Sequence, residues 1–261
     1  MKEAWEMKIA IIGVGNMGSA IIRGLVNQHQ DTIVAMNPEN PRVSSLAKEL
    51  GFKLFNQYDQ LVAAQPDIVI LTTPAPVTTK VAAELTGLKP TTIVISSAAG
   101  VKLADLAKVL PNRSLAAIIP NTPVAVNAGA IGLAYGQDLS ADVKKRIQKA
   151  LGQLGDLIVV PEDQLDIVGV VGGCGPAFVD VFMDAMSDAA VKYGLSRQTA
   201  YQLVASMVKG SGKLAADSKQ APALLRDQVT SPGGTTIRGV EALEKAGFRY
   251  AVIDAVNKAN G

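Results

Sequence analysis

Two glycine-rich stretches of the chain have residue types and spacings that could bind negatively charged groups. The first reads Gly-Val-Gly-Asn-Met-Gly, with glycines at positions 13, 15 and 18. Such glycines allow a tight turn, close approach of the backbone to a pyrophosphate, and close packing of a helix on a strand. A helix that begins there adds free N–H groups and positive potential. Because the spacing also occurs in structural turns, the prediction of a dinucleotide site rests on the strand–turn–helix context.

The second stretch, residues 229–236, reads Val-Thr-Ser-Pro-Gly-Gly-Thr-Thr and precedes a helical pattern. Two adjacent glycines at a helix start can turn several backbone N–H groups toward an anion, and the helix dipole strengthens that nest. The hydroxyls of Ser231, Thr235 and Thr236 add donors, so we expect a small carboxylate here. Helix N-capping would explain one of these hydroxyls without any ligand.

Three other loops follow predicted strands, at residues 71–74, 97–100 and 120–123. Ligands of an open parallel sheet bind outside the carboxyl ends of its strands, so these loops should line the same crevice as the first glycine turn. The second predicted strand is followed by Asn37, where an acid would bond a ribose hydroxyl and repel a 2′-phosphate. Because Arg42 is nearby, we expect NADPH rather than NADH. The acidic Glu39 is also close, which argues in the other direction. Arg42 would equally fit a solvated residue at the start of a helix.

The composition argues against several function classes. A net charge of +2 without a dense Lys/Arg cluster argues against a nucleic-acid partner. One histidine, His29, and one cysteine, Cys174, argue against metal sites and a histidine-based triad. No base adjoins Cys174, so we expect it to be a packed residue rather than a catalytic one. The glycines around it permit close approach of a nicotinamide ring or a neighbouring helix.

Residues 1–6 lack a signal-peptide layout and the apolar run 7–14 is too short to span a bilayer, so we expect a cytoplasmic protein with no membrane partner.

The elements that would position these residues follow from hydrophobic patterning. Short β-branched runs alternate with helical stretches, which predicts an α/β fold with an N-terminal Rossmann-type parallel sheet over residues 1–160. Ala/Leu/Met-rich segments predict an all-helical domain over residues 161–261, with too much apolar surface for one small domain to bury alone. The predicted strands are 8–12, 32–36, 68–72, 92–96, 115–119 and 157–160, and the predicted helices are 17–27, 43–50, 77–84, 103–109, 140–154, 176–193, 197–216 and 235–246.

Taken together, the stretches GVGNMG, SSAAG, PNTP, GCGPAF and VTSPGGTTIRG resemble the pyrroline-5-carboxylate reductase family, in the same order along nearly the whole chain. The resemblance implies reduction of 1-pyrroline-5-carboxylate to L-proline by hydride transfer from NAD(P)H, the last step of proline biosynthesis. It also implies that the helical domain is a substrate-binding and dimerisation domain, so that the protein is a homodimer, with a larger ring of dimers in some members. Hydride transfer to an imine needs positioning more than a strong acid, so a catalytic histidine is not required.

The resemblance also implies roles for particular residues. Thr236 is implied as the catalytic residue, which would hydrogen-bond the ring nitrogen and relay a proton. The expected substrate-binding residues are Glu162, Ser231, Gly233, Gly234, Thr235 and Thr236. The expected cofactor-binding residues are Ile12, Gly13, Gly15, Asn16, Met17, Gly18, Asn37, Leu71, Thr72, Thr73, Pro74, Ser97, Ala98, Ala99 and Asn121. No metal site is expected.

The chain departs from the family pattern at three places. Thr73 stands where the family usually has Lys, Ala117 where it has Arg, and residues 172–176 read Gly-Gly-Cys-Gly-Pro instead of Ser-Gly-Ser-Gly-Pro. These departures leave room for a paralogous reductase of another small cyclic imine or a 3-hydroxyacid, or for a non-catalytic nucleotide-binding regulator. The 3-hydroxyacid dehydrogenase and imine reductase group resembles the chain less. That group uses a lysine in the first helix of its second domain, whereas the predicted helix 176–193 offers only Lys192, near its end.

Overall fold

The computed structural model describes residues 6–261 and divides into two compact units between Gly173 and Cys174. What the sequence suggests about residues 1–5 lies outside the described residues. Leu165 is buried in the core of the first unit, which extends that unit beyond residue 160. The predicted boundary near residue 160 marks the change from an alternating to a helical pattern, and it stays a prediction.

One eight-stranded sheet forms the base of the first unit. Its strands are β1 (Lys8–Ile12), β2 (Thr32–Met36), β3 (Lys53–Phe55), β4 (Ile68–Leu71), β5 (Ile93–Ser96), β6 (Leu115–Ile119), β7 (Gly129–Tyr135) and β8 (Gly155–Val159). They lie in the order β3-β2-β1-β4-β5-β6-β7-β8. Strands β6 and β7 pair antiparallel, whereas the other neighbouring strands pair parallel. The predicted Rossmann-type parallel sheet is therefore confirmed, with one antiparallel pair near an edge.

Two strands, β3 and β7, are absent from the prediction made on the sequence. β3 has only three residues, too few to show a period. β7 reads Gly-Ala-Ile-Gly-Leu-Ala-Tyr, which is poor in the β-branched residues that favour strands. Its glycines have a packing reason, because a Cβ on Gly132 would lie 2.6 Å from Cγ1 of Val168. Pairing with β6 and β8 and packing against α7 therefore stabilise β7, although its own residues have a low propensity for strands.

Helices cover both faces of the sheet, as the unbroken apolar strands require. In β1, Ile9 and Ile11 point to one face and Ala10 and Ile12 to the other, and these residues belong to separate hydrophobic clusters. Helices α1 (Asn16–Gln28), α2 (Pro41–Leu50) and α6 (Ala141–Gly152) contribute to the first cluster. Helices α3 (Tyr58–Ala63), α4 (Ala75–Ala83), α5 (Leu103–Val109) and α7 (Leu165–Val168) contribute to the second.

The second unit is all-helical. Its helices are α8 (Gly175–Lys192), α9 (Arg197–Ser218), α10 (Pro222–Gln228), α11 (Thr235–Lys245) and α12 (Phe248–Ala259). Among its described residues, Ser187, Ala200 and Val204 alone are buried. Large apolar side chains are uncovered, with Val181 72% and Ile253 58% exposed. The unit therefore buries little of its own apolar surface.

Candidate functional site

The first glycine turn joins β1 to α1, and its three glycines have different structural reasons. Gly13 has φ +94°, a left-handed value that favours glycine, and its N–H donates to the Met36 carbonyl at 2.9 Å. A Cβ on Gly18 would lie 2.1 Å from the Gly13 carbonyl oxygen, so glycine lets α1 approach the turn. A Cβ on Gly15 would meet nothing within 4 Å. Packing within the described chain therefore does not require glycine at position 15, and the space beside it is open.

The amino end of α1 is available to an anion. Gly15 is its N-cap, and no side chain of the described residues caps it. The first N–H groups of a helix have no partner within the helix, and the helix dipole adds positive potential there. Asn16, Met17 and Gly18 form the first turn of α1, as expected for residues that would hold a pyrophosphate.

Asn37 and Arg42 meet the glycine turn from the end of β2. The Val14 N–H donates to Asn37 Oδ1 at 2.8 Å, so the neutral amide helps to hold the turn. Arg42 reaches across from α2, where its Nη2 donates to the Val14 carbonyl and its Nη1 to Ser19 Oγ at 3.3 Å. A cation therefore lies beside the turn, with no acidic side chain at position 37.

Asn56 is a candidate that sequence reasoning missed. It follows β3, and its Nδ2 donates to the Asn37 carbonyl at 2.9 Å, which brings it beside the end of β2. The sequence signal would have been an amide residue directly after a strand. That signal could not be used because β3 itself was not predicted.

The loops after β4 and β5 lie at the same end of the sheet as the glycine turn. Thr72 Oγ1 donates to the Ile12 carbonyl at 3.1 Å and also to the Gly13 carbonyl. Ser97 Oγ donates to the Leu71 carbonyl at 2.9 Å, which joins the two loops. The Thr73 hydroxyl bonds the Thr78 hydroxyl at 2.9 Å, so it is occupied by a residue of α4. The structure thus brings these predicted loops together, as their positions after parallel strands imply.

Two predicted site residues have structural bonds within the first unit. Asn121 Nδ2 donates to the Gly172 carbonyl at 3.0 Å, and its Oδ1 accepts from the Ala130 N–H at 3.0 Å. Glu162 Oε1 accepts from the Leu103 N–H at 2.6 Å, so Glu162 holds the amino end of α5. Glu162 also lines a cavity of about 370 Å³ beside Ala98 and Ala99. Their assignments to cofactor and substrate stay predictions.

The Ser231 loop belongs to the second unit. The Gly234 N–H donates to the Ser231 carbonyl at 3.0 Å, and Gly233 has φ +68°. With Pro232 before that glycine, this is the residue pattern of a type II turn. Helix α11 starts at Thr235 without a side-chain cap among the described residues. The capping hypothesis therefore finds no support in the hydrogen bonds. No side chain of the described residues occupies the first turn of α11, where Thr235 and Thr236 are exposed, so this turn is available to an anion.

Two family models match parts of the chain. One, described as pyrroline-5-carboxylate reductase dimerisation, matches residues 162–261. The other, described as NADP oxidoreductase, coenzyme F420-dependent, matches residues 8–100. The two matches fall on the helical segment and on the glycine turn with its neighbouring strands.

Relatives of the chain match it over nearly its full length. It is 36% identical to the pyrroline-5-carboxylate reductase of Escherichia coli (strain K12), with 97% of this chain and 96% of the relative covered. A solved pyrroline-5-carboxylate reductase structure from Coxiella burnetii has a TM-score of 0.85 at 31% identity, covering 97% and 96% of the two chains. A Plasmodium falciparum pyrroline carboxylate reductase with NADP bound has a TM-score of 0.82 at 28% identity, covering 97% and 95%. The chain belongs to the pyrroline-5-carboxylate reductase family.

Proposed function

We propose that this protein reduces 1-pyrroline-5-carboxylate to L-proline with NADPH, the last step of proline biosynthesis. The imine carbon gains a hydride, the ring nitrogen gains a proton, and NADPH becomes NADP⁺. The observation that carries the proposal is the start of α11, an exposed and uncapped helix end preceded by Gly233 in a left-handed conformation. This arrangement suits the carboxylate of a small substrate in a chain of this family.

The residues of the first unit fit a dinucleotide cofactor. Gly15 leaves room for a pyrophosphate at the uncapped start of α1, and Arg42 supplies a cation beside the turn. The loops at residues 71–74 and 97–99 lie at the same end of the sheet as the glycine turn and offer backbone groups there. When bound, the cofactor supplies the hydride.

The residues of the second unit bind and orient the substrate. Backbone N–H groups at Gly233 and Thr235 hold the carboxylate, which restricts the ring to few orientations. The Gly234 N–H closes the turn on the Ser231 carbonyl. The Thr236 hydroxyl bonds the ring nitrogen and relays to it a proton that solvent replaces on Thr236, while the C=N carbon is already electrophilic. Glu162 of the first unit holds α5 through one carboxylate oxygen, and its assignment to the substrate stays a prediction.

Turnover by the purified protein tests this function. With NADPH and 1-pyrroline-5-carboxylate, we expect loss of NADPH absorbance and formation of proline in equal amounts. A six-membered cyclic imine carboxylate and a 3-hydroxyacid with NADP⁺ serve as comparison substrates. Faster turnover of either would favour the paralogous-reductase alternative, and NADPH binding without any turnover would favour the regulator.

We expect NADPH to be preferred over NADH, with Arg42 as a determinant. Arg42→Ala should lower kcat/KM for NADPH by about tenfold, the scale of one charge-assisted hydrogen bond, while NADH is affected less. Steady-state rates with both cofactors measure this. Arg23→Ala is the matched control, because Arg23 lies on α1 and pairs with Glu49 at 2.8 Å. A wild-type kcat/KM for NADH equal to that for NADPH would contradict the prediction, as would an equal loss for both cofactors in Arg42→Ala.

We propose that the protein is an obligate homodimer, formed through its helical unit. The exposure of Val181, Leu203 and Ile253 leaves apolar surface that a second chain would cover. Sedimentation at low concentration should give the mass of a dimer or of a ring of dimers, and thermal stability should rise with concentration. A stable and active monomer would contradict this prediction.

We also propose a cytoplasmic location. The helical stretch Glu162–Lys192 is long and apolar enough, by length and composition, to cross a membrane. Its exposed apolar side chains in the second unit, such as Val179 and Val181, suit the dimer interface proposed above equally well. Fractionation of cells that express the protein should recover it without detergent.

A further inference from the structure

Asn121 joins three segments of the first unit at the carboxyl end of β6. The residue is almost fully buried, with 7% of its surface exposed, and both the oxygen and the nitrogen of its side-chain amide are hydrogen-bonded. Nδ2 donates to the Gly172 carbonyl at 3.0 Å and Oδ1 accepts from the Ala130 N–H at 3.0 Å. An amide is suited to this place because it offers a donor and an acceptor at once.

The Gly172 carbonyl belongs to a π-helical segment, Gly169–Cys174. Such segments are uncommon and often lie at functional sites. The segment packs closely on the sheet, since a Cβ on Gly169 would lie 3.3 Å from Cγ2 of Ile119, the last residue of β6. Gly172 and Gly173 have a different reason to be glycine, because a Cβ on either would meet nothing within 4 Å. The backbone of this pair is therefore held by the hydrogen bond from Asn121 to the Gly172 carbonyl, and the space where the Cβ atoms would lie is empty in the described chain.

We infer that Asn121 is a positioning residue for hydride transfer, which holds the glycine backbone of Gly172 and Gly173 against the nicotinamide half of the cofactor. In a Rossmann sheet the two halves of a dinucleotide lie on the two sides of the β1–β4 crevice, and β6 belongs to the half beyond β4. The inference rests on the proposed function for the cofactor and the reaction. A nicotinamide ring lying against this backbone would explain why residues 172 and 173 are both glycine, which packing within the described chain does not explain.

Asn121→Asp is the decisive variant because it keeps the shape of the side chain. An ionised carboxylate still accepts from the Ala130 N–H but faces the Gly172 carbonyl with a second acceptor, whereas the protonated acid can donate to that carbonyl. Burial and the facing Gly172 carbonyl raise the pKa of the introduced acid, and the single hydrogen bond from the Ala130 N–H opposes this rise only in part. The elements that Asn121 bonds to, β7 and the π-helical segment, carry no Lys, Arg or His, and their titratable side chains are Tyr135 and Cys174, with Asp166 in the preceding α7. No cation of these elements offsets the raised pKa.

We expect kcat of Asn121→Asp to be lower than that of the wild type by about tenfold at pH 8, the cost of a misplaced reacting group. The ratio of the two kcat values should rise toward one as the pH falls through the raised pKa. Asn127→Asp is the matched control, since Asn127 Nδ2 also donates to carbonyls, of Gly24 at 2.8 Å and Gln153 at 2.7 Å. It should lose thermal stability while its kcat ratio to the wild type stays constant with pH.

Two further measurements keep the inference testable if Asn121→Asp folds poorly or if the substrate assignment is wrong. Amide exchange of residues 169–174, measured without cofactor, should be faster in Asn121→Asp than in the wild type at pH 8 and equal at low pH. Gly172→Ala should keep wild-type thermal stability but change the fluorescence of bound NADPH and lower kcat, whereas Gly152→Ala, at an equally open position in α6, should change neither.

The outcomes separate the two claims. A pH-independent kcat ratio for Asn121→Asp, or Gly172→Ala with wild-type NADPH fluorescence, would overturn the positioning role. Absence of wild-type turnover with 1-pyrroline-5-carboxylate would count against the proposed function alone, because exchange and NADPH fluorescence do not involve that substrate.

Discussion

Thr236→Ala should lower kcat with 1-pyrroline-5-carboxylate by about 10²-fold, the scale for loss of one positioned donor or proton relay, while NADPH binding stays nearly intact. Thr236 is the second residue of α11 and is exposed beside the uncapped helix start. In the proposed mechanism its hydroxyl alone contacts the ring nitrogen. Steady-state kinetics and NADPH titration on the same preparation measure the two effects.

Two companion variants distinguish this role from helix capping. Thr236→Ser keeps the hydroxyl and should recover most of the activity. Gly233→Val should instead raise the KM of the substrate, because a β-branched residue resists φ +68° and crowds the anion nest. Capping alone predicts a stability loss of about 1 kcal/mol and no selective kinetic defect. Wild-type kinetics in Thr236→Ala would remove this loop from the mechanism.

Gly15→Val should weaken NADPH binding by about 100-fold or more, with a loss of stability of about 1 kcal/mol, the scale for a poorer N-cap residue. The Cβ of a residue at position 15 would meet no atom of the described chain within 4 Å, so the folded protein has space at this position. The added side chain enters the space in front of the α1 amino end, where the pyrophosphate would lie. Fluorescence titration with NADPH and thermal unfolding of the free protein measure the two quantities.

Gly18→Ala is the contrasting variant within the same turn. Its Cβ would lie 2.1 Å from the Gly13 carbonyl oxygen and 2.7 Å from Thr72 Oγ1, so the turn must shift. We expect loss of both stability and cofactor affinity, with about 1–3 kcal/mol lost from the free energy of unfolding. If Gly15→Val bound NADPH as tightly as the wild type, the glycine turn would not be the pyrophosphate site.

The sequence alone was sufficient wherever the determining interactions are local. The β1–turn–α1 unit was predictable because a short apolar run, three spaced glycines and a helical period lie within residues 8–28. The same holds for the Ser231 loop, where Pro232, Gly233 and Gly234 dictate a turn before a helix. The alternation of apolar strands and amphipathic helices also predicted the sheet with two covered faces.

The tertiary structure decided what depends on partners that are distant along the chain. Strands β3 and β7 are held by their neighbours in the sheet rather than by strong local propensity. Glu162 bonds the N–H of Leu103, and Asn121 bonds the carbonyl of Gly172, across 59 and 51 positions of sequence. Residue type shows that such groups can bond, but only packing selects the partner. The sequence thus determined which chemistry the chain carries, and the fold determined which polar groups remain available to perform it.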